Sequence, residues 1–390
     1  MRNSPAIAAV TEIQPGRYPQ YDEIQLHRQV LKEFFQEWKI DPKAINGIFT
    51  APTALLGEKR PEVAVHELLT EELGITPTVS ESIYAGGATY SMMVQRAALA
   101  IAEGRADCIL CVSAGKFPKV GKSGGETTGK VVSHPEFEFI YGAYIPPMYA
   151  LIANRYMHEF GITQEQLASV SVSSREWALK HPKAFMRNKG PLSIEDVLNS
   201  RPISSPFHLL DCSVPCEGGA TVLVTSETVA KQINPQPAYL VGMGEIHGNT
   251  YISQRRNFST YGSTETGKQA YSMANVTPGD IDVVQFYDSF SINPIMYLEE
   301  FGFCEKGMGG RYVMEGHTSF GGDLPMNTYG GLLSFGHTGD ASGMSMMIEG
   351  ALQVMGKAEE RQVEKVNLAL VHTHGGMMSE HSTLILGRHA

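Results

Sequence analysis

Apolar positions along this chain follow two alternating rhythms. Unbroken apolar runs such as AIAAVTEI (6–13) and DCILCVSAG (107–115) predict strands buried on both faces. AINGIFTAP (44–52), TPTVSESI (76–83) and GATVLVTS (219–226) predict further strands. Between them, apolar residues at helical spacing predict helices near 23–38, in VAVHELLTEELG (63–74) and in SMMVQRAALAIAEG (91–104). The last two each run to a glycine stop. Residues 116–215 break the rhythm with glycines, prolines, aromatics and local helices such as PPMYALIANRYMHEFG (146–161).

After residue 237 the same order of elements returns. AYLVGMGEI (238–246) predicts a strand, followed by a helix around 264–275. VTPGDIDVVQFYDSF (276–290) mirrors IDPKAINGIFTAPT, and SMMIEGALQVMG (345–356) echoes SMMVQRAALAIAEG. NLALVHTHGG (367–376) answers DCILCVSAGK, and STLILG (382–387) answers ATVLVTS. Four correspondences in one order imply a duplicated α/β unit with two halves related by a pseudo-two-fold axis. The expected division is 1–236, with an insert at about 116–215, and 237–390. Loops at the strand C-terminal ends should then converge on one crevice. They are the turn before Met92, YDSF (287–290), SFGHTGD (334–340) and HTHGG (372–376).

Composition narrows the chemistry. The formal charge of −10 argues against nucleic-acid binding. No window reaches the ~18 apolar residues of a membrane helix, so no membrane insertion is expected. The N-terminal stretch has no basic segment followed by an apolar one, so no signal peptide is expected. Five cysteines without metal-like clustering fit a reducing cytoplasm, and no metal is expected. Cys108 and Cys111 read as buried strand thiols, and Cys212 and Cys216 have no second pair to complete a metal site. Neither a Walker loop nor a Gly-x-Gly-x-x-Gly fingerprint occurs.

Five segments in order carry a family likeness. They are YGAYIPPMYALIANRYMHEFGIT, RPISSPFHLLDCSVPCEGGATVLVTS, FYDSFSINPIMYLEEFGFCEKG, GGDLPMNTYGGLLSFGHTGDASG and HTHGG. Through them the chain resembles the thiolase superfamily, in the branch around sterol carrier protein X and bacterial lipid-transfer-protein thiolases. The resemblance implies a five-layer αβαβα sandwich of two similar halves with a loop-domain insertion. It also implies coenzyme A thioesters as substrates, a homodimer, and often a separate small OB-fold, zinc-ribbon partner.

The thiolytic members use a cysteine nucleophile at a helix N-terminus, a His in a Gly-His-Pro turn and a Cys-x-Gly loop. Here the nucleophile position falls at or near Gly87, with Tyr84 as the other register, and neither is a thiol. The His-Asp-Cys-Phe motif of the sterol-carrier branch is replaced by Tyr287-Asp288-Ser289-Phe290. The Cys-x-Gly loop reads Thr373-His374-Gly375, followed by Gly376. His337 survives, in Gly336-His337-Thr338.

An acyl-enzyme needs an activated thiolate, and glycine cannot supply one. Two donors, Tyr287 and His337, remain to face one thioester oxygen. The pattern looks like the steroid side-chain-cleaving aldolases of the lipid-transfer-protein group, which lack the cysteine and rely on tyrosine. Retro-aldol cleavage of a β-hydroxyacyl-CoA through a thioester enolate is the expected activity, with either Tyr287 or His337 as base. The space left by the cysteine is expected to admit a bulkier substituent on the β-carbon. Asp288 is expected to cap the helix starting near Ser291. Gly87 and Gly376 are expected to give close backbone approach and an N–H donor, and one of His372 and His374 to face the site. His381 reads as a cross-strand surface residue. The clusters KFPKVGKSGGETTGK (116–130) and KHPKAFMRNKG (180–190) are the expected phosphate contacts. Two other functions stay open: an acyltransferase or thiolase with a non-standard nucleophile, and a non-catalytic acyl-CoA or lipid-binding subunit.

Overall fold

The computed structural model describes residues 4–53, 62–116, 129–142 and 144–390. Strand β1 is Ala6–Glu12, β2 Gly47–Thr50, β3 Val79–Ser82 and β4 Cys108–Lys116. A short hairpin pairs β5 (Pro202–Ser204) with β6 (Phe207–His208). The remaining strands are β7 (Glu217–Thr225), β8 (Ala238–His247), β9 (Val283–Phe286), β10 (Leu368–Gly375) and β11 (Glu380–Gly387). The main sheet runs β3-β2-β4-β7-β1-β8-β11-β10-β9. Its two halves meet through the short pairing of Ala6 and Ile7 with Tyr239 and Ala238.

Pairing directions repeat across that junction. β2 lies parallel to β4 as β9 does to β10. β4 is antiparallel to β7 as β10 is to β11, and β7 is antiparallel to β1 as β11 is to β8. The counterpart of β3 is reduced to a parallel bridge between Val284 and Met326. The duplication expected from the element order is therefore built into the hydrogen-bond ladder.

The helices form the other layers. α1 (Glu23–Trp38) begins with a capping box of Asp22 and Gln25, and with α2 (Val65–Leu73) it covers the outer face of the first half-sheet. The middle layer holds α3 (Thr89–Ala102), which packs on strands of both halves. Among the other helices named here, α4 is Ile145–Phe160, α5 Gln164–Lys180, α6 Ser263–Ala274, α7 Ile292–Glu300 and α8 Met344–Met355. α8 lies beside α3, and their apolar residues share one core with both half-sheets. Sandwiched helices cannot keep a polar face, which is why α3 and α8 read as nearly continuous apolar runs. α4, α6 and α7 pack with the outer face of the second half. The whole is the five-layer αβαβα sandwich, with α4 and α5 in the insertion between β4 and β7. Among the described residues no helix is long and apolar enough to cross a membrane.

Candidate active site

The turn that feeds α3 touches the turn that feeds α8. A Cβ placed on Gly343 would lie 2.5 Å from the carbonyl oxygen of Gly87. Thr89 ties off the first turn, its hydroxyl donating to the Gly86 carbonyl at 2.6 Å and accepting from the Ala85 N–H at 2.8 Å. Gly86 has φ +56°, a left-handed conformation that favours glycine. At Gly87 no side chain leaves this turn.

Another residue fills the space. A Cβ on Gly87 would sit 2.5 Å from Cζ and 2.6 Å from Cε2 of Tyr287. The Tyr287 ring, delivered by the end of β9, therefore occupies the space a side chain at position 87 would take.

Tyr287 Oη lies 2.9 Å from His337 Nε2 and 3.1 Å from Ser342 Oγ. Sequence reasoning brought Tyr287 and His337 to one point, and the structure does so; it passed over Ser342. The only available signal was its place in the same Gly-rich turn. The Gly339 backbone N lies 3.3 Å from His337 Nδ1. Tyr287 Oη and His337 Nε2 are close enough to exchange a proton. Burial pushes the His337 imidazole down to about 4, so it is neutral at physiological pH. Burial also raises the Tyr287 phenol, which stays protonated. The site thus holds a neutral phenol and a neutral imidazole in a dry environment.

Asp288 is fully buried, and burial lifts its carboxyl to about 7. It does not cap the helix that starts at Ile292, as expected. Its oxygens accept from Leu332 N–H at 2.7 Å and Leu333 N–H at 3.4 Å, inside the π-helical turn of residues 331–335. Gly331, at φ +63°, sits directly over this carboxyl. Asp288 therefore holds the segment that leads to His337, while the helix at Ile292 has no side-chain cap and Asn293 accepts from the Phe290 N–H at 3.0 Å.

The β10 loop differs from the sequence reading in detail. Thr373 is buried and hydrogen-bonded to Ser91. His374 is buried under Tyr287, ring centroids 4.7 Å apart and interplanar angle 68°. Its Nε2 lies 2.7 Å from Tyr149 Oη and its Nδ1 2.5 Å from Tyr297 Oη. Both nitrogens are spent, so His374 offers no free donor to substrate. The backbone N of Gly376 faces the Gly86 turn, 2.9 Å from where a Gly86 Cβ would be. His372 is buried too, bonded through Nδ1 to Thr383 Oγ1 at 2.8 Å. His381 is cross-strand from His374, as read, but it is 1% exposed rather than on the surface. Strand β11 is covered on both faces, so even its one histidine is interior and neutral. Tyr84 is 49% exposed beside the first turn.

Burial pushes the thiols of Cys108, Cys212, Cys216 and Cys304 up to about 12, and that of Cys111 higher still. None is poised as a thiolate nucleophile at neutral pH. Among the described residues no group of His, Cys, Asp and Glu is arranged to hold a metal ion. Of the expected phosphate contacts, residues 117–128 lie outside the described residues. In the second cluster, Lys180 sits 4.0 Å over the Phe320 ring and Lys183 donates to the Glu12 carbonyl.

Comparison with known proteins follows the same lines. Residues 244–388 match the family described as thiolase C-terminal domain-like. The chain is 34% identical over 315 residues to an acetyl-CoA acetyltransferase of Methanothermobacter thermautotrophicus, covering 80% of this chain and 81% of that one. It is 30% identical over 399 residues to the steroid side-chain-cleaving aldolase of Thermomonospora curvata, covering 98% and 97%. The solved structure of the Ltp2-ChsH2(DUF35) aldolase superposes with TM-score 0.86 and 28% identity, over 99% of this chain and 98% of that one.

Proposed function

This chain belongs to the thiolase superfamily, in its sterol-carrier-protein branch, and we propose that it cleaves a carbon–carbon bond of a β-hydroxyacyl-CoA by retro-aldol chemistry. One observation carries the reading. The Tyr287 ring lies against Gly87 and brings its hydroxyl within hydrogen-bond reach of His337 and Ser342.

The chemistry follows from those groups. Tyr287 Oη takes the proton of the β-hydroxyl while its own proton passes to His337 Nε2, and the substrate oxygen becomes a carbonyl. The Cα–Cβ bond breaks, and its electrons pass into the thioester as an enolate. The enolate oxygen is the charge to be stabilised, and a preorganised donor in a dry site is worth about 3 kcal/mol toward it. Cα then receives a proton, which regenerates the pair and releases a shortened acyl-CoA and an aldehyde or ketone. No bond to the protein forms at any stage. Tyr287 is the group that meets substrate; His337 behind it takes up the phenol's proton and returns it. The relatives named as aldolases support this reading, as does the small protein joined with one of them, and a separate OB-fold partner and a homodimer are part of the proposal.

A second reading has one observation in its favour, the 34% identity to an acetyl-CoA acetyltransferase. Incubation of the protein with a β-hydroxyacyl-CoA, with and without a DUF35-type partner, separates the two. Retro-aldol cleavage yields a carbonyl compound and a shortened acyl-CoA without added free CoA. Product formation only when a 3-oxoacyl-CoA and free CoA are supplied would overturn it in favour of acyl transfer.

A further inference from the structure

Beneath the site lies a second set of polar groups that the proposed chemistry does not use. His374 on β10 is flanked by Tyr149 of α4 and Tyr297 of α7, so three separate parts of the chain meet at one ring. All three side chains are buried. The proton on each can be placed. Tyr149 Oη donates to the Gly376 carbonyl at 3.3 Å. Having given its only proton, that oxygen accepts from His374 Nε2–H. Nδ1 is then bare and accepts from the Tyr297 hydroxyl, which has no other bond partner among the described residues. The opposite tautomer would leave the Tyr297 proton buried without an acceptor, at a cost of about 1–3 kcal/mol. One direction satisfies every group: Tyr297 to His374, His374 to Tyr149, Tyr149 to Gly376.

The ring so fixed is the one that meets Tyr287 edge to face at 4.7 Å, and the Tyr287 ring in turn lies against Gly87. We propose that His374 is a positioning residue, held in a single tautomer by Tyr149 and Tyr297, that seats the Tyr287 ring over Gly87 and fixes the Gly376 peptide. The insertion therefore reaches the chemistry through Tyr149 without touching the reacting atoms. This inference rests on the retro-aldol reading for its kinetic consequence, but not for its structural one.

Two measurements test it. In the triple variant Tyr149→Phe/His374→Phe/Tyr297→Phe all three polar partners become apolar rings of similar shape, so no buried group is orphaned and the fold should persist. A misplacement of about 1 Å at the reacting group can cost about 100-fold, so kcat should fall at least about tenfold while KM stays within about threefold. A kcat within about twofold of the parent protein overturns the proposal. The second readout needs no turnover. Ring 15N shifts of His374 in the parent protein should show Nε2 protonated and Nδ1 bare, unchanged from pH 8 to pH 5, and Tyr297→Phe should mix the tautomers. The reverse tautomer, or a Tyr297→Phe spectrum identical to the parent's, overturns the positioning role. If the parent protein shows no retro-aldol turnover at all, the functional reading fails while the nitrogen shifts still decide the role of His374.

Discussion

The two halves of this molecule solve one construction problem in different ways. Each sends a glycine-rich turn into a helix of the middle layer, and the two turns touch at Gly87 and Gly343. The first-half turn, from residue 84 to Thr89, places bare backbone at the centre. The second-half turn carries His337 and Ser342, both within reach of Tyr287. Equivalent scaffolds therefore hold unequal chemistry: one turn supplies shape, the other supplies proton donors.

That contrast can be broken most directly at Gly87. In Gly87→Ala the new Cβ would lie 2.5 Å from the Tyr287 ring, and α3 and the β10 loop leave it no room to retreat. Retro-aldol turnover should fall by about 100-fold or more, as it should in Tyr287→Phe, which removes the donor but keeps the ring. Near-parental kcat in both variants would remove Tyr287 from the site. The second-half turn should show graded effects. His337→Ala is expected to lower kcat by about 100-fold and Ser342→Ala by about tenfold or less, since Ser342 Oγ lies farther from Tyr287 Oη and carries a weaker donor. A larger loss in Ser342→Ala would reverse the order of the two supports.

A pH profile sharpens the same comparison. His337 gains its proton only near pH 4, so kcat/KM should stay flat from neutral pH down to about 5 and fall toward 4. A limb near 6.5 would mean a solvated imidazole. Stability has its own dependence. Buried His27, His181, His337, His372, His374 and His381 are all held below 6.5, so below that pH the unfolded chain binds protons that the folded chain refuses. Each contributes stability that is present above 6.5 and lost as pH falls. Glu12, Asp288 and Glu300, raised to about 7, act in the opposite sense between 7 and 4.5. With six groups against three, Tm should drop from pH 7 to pH 5. The smallest effect is expected from alkylation. With every thiol raised by burial, iodoacetamide at neutral pH should leave turnover unchanged.

Much of this was legible in the residues, for identifiable reasons. The duplication shows as repeated periodicity, which local sequence records well, and Tyr287 and His337 stand in recognisable turns. What escaped notice depends on contacts between distant parts of the chain. Tyr149 meets a ring 225 positions away and Tyr297 one 77 positions away, and no spacing rule joins them. His381 was read as exposed because a titratable residue in a strand usually faces water; in a five-layer sandwich β11 has no wet face. Asp288 was assigned to the nearest helix start, whereas its partners are backbone amides 44 and 45 residues on.

The central claim is that this active site holds an enolate and never an acyl group. Intact-protein mass spectrometry on samples quenched during steady turnover of a β-hydroxyacyl-CoA tests it most directly. The account predicts the unmodified mass at every time point while product accumulates. A species heavier by the acyl group, formed and discharged at the rate of turnover, would contradict it.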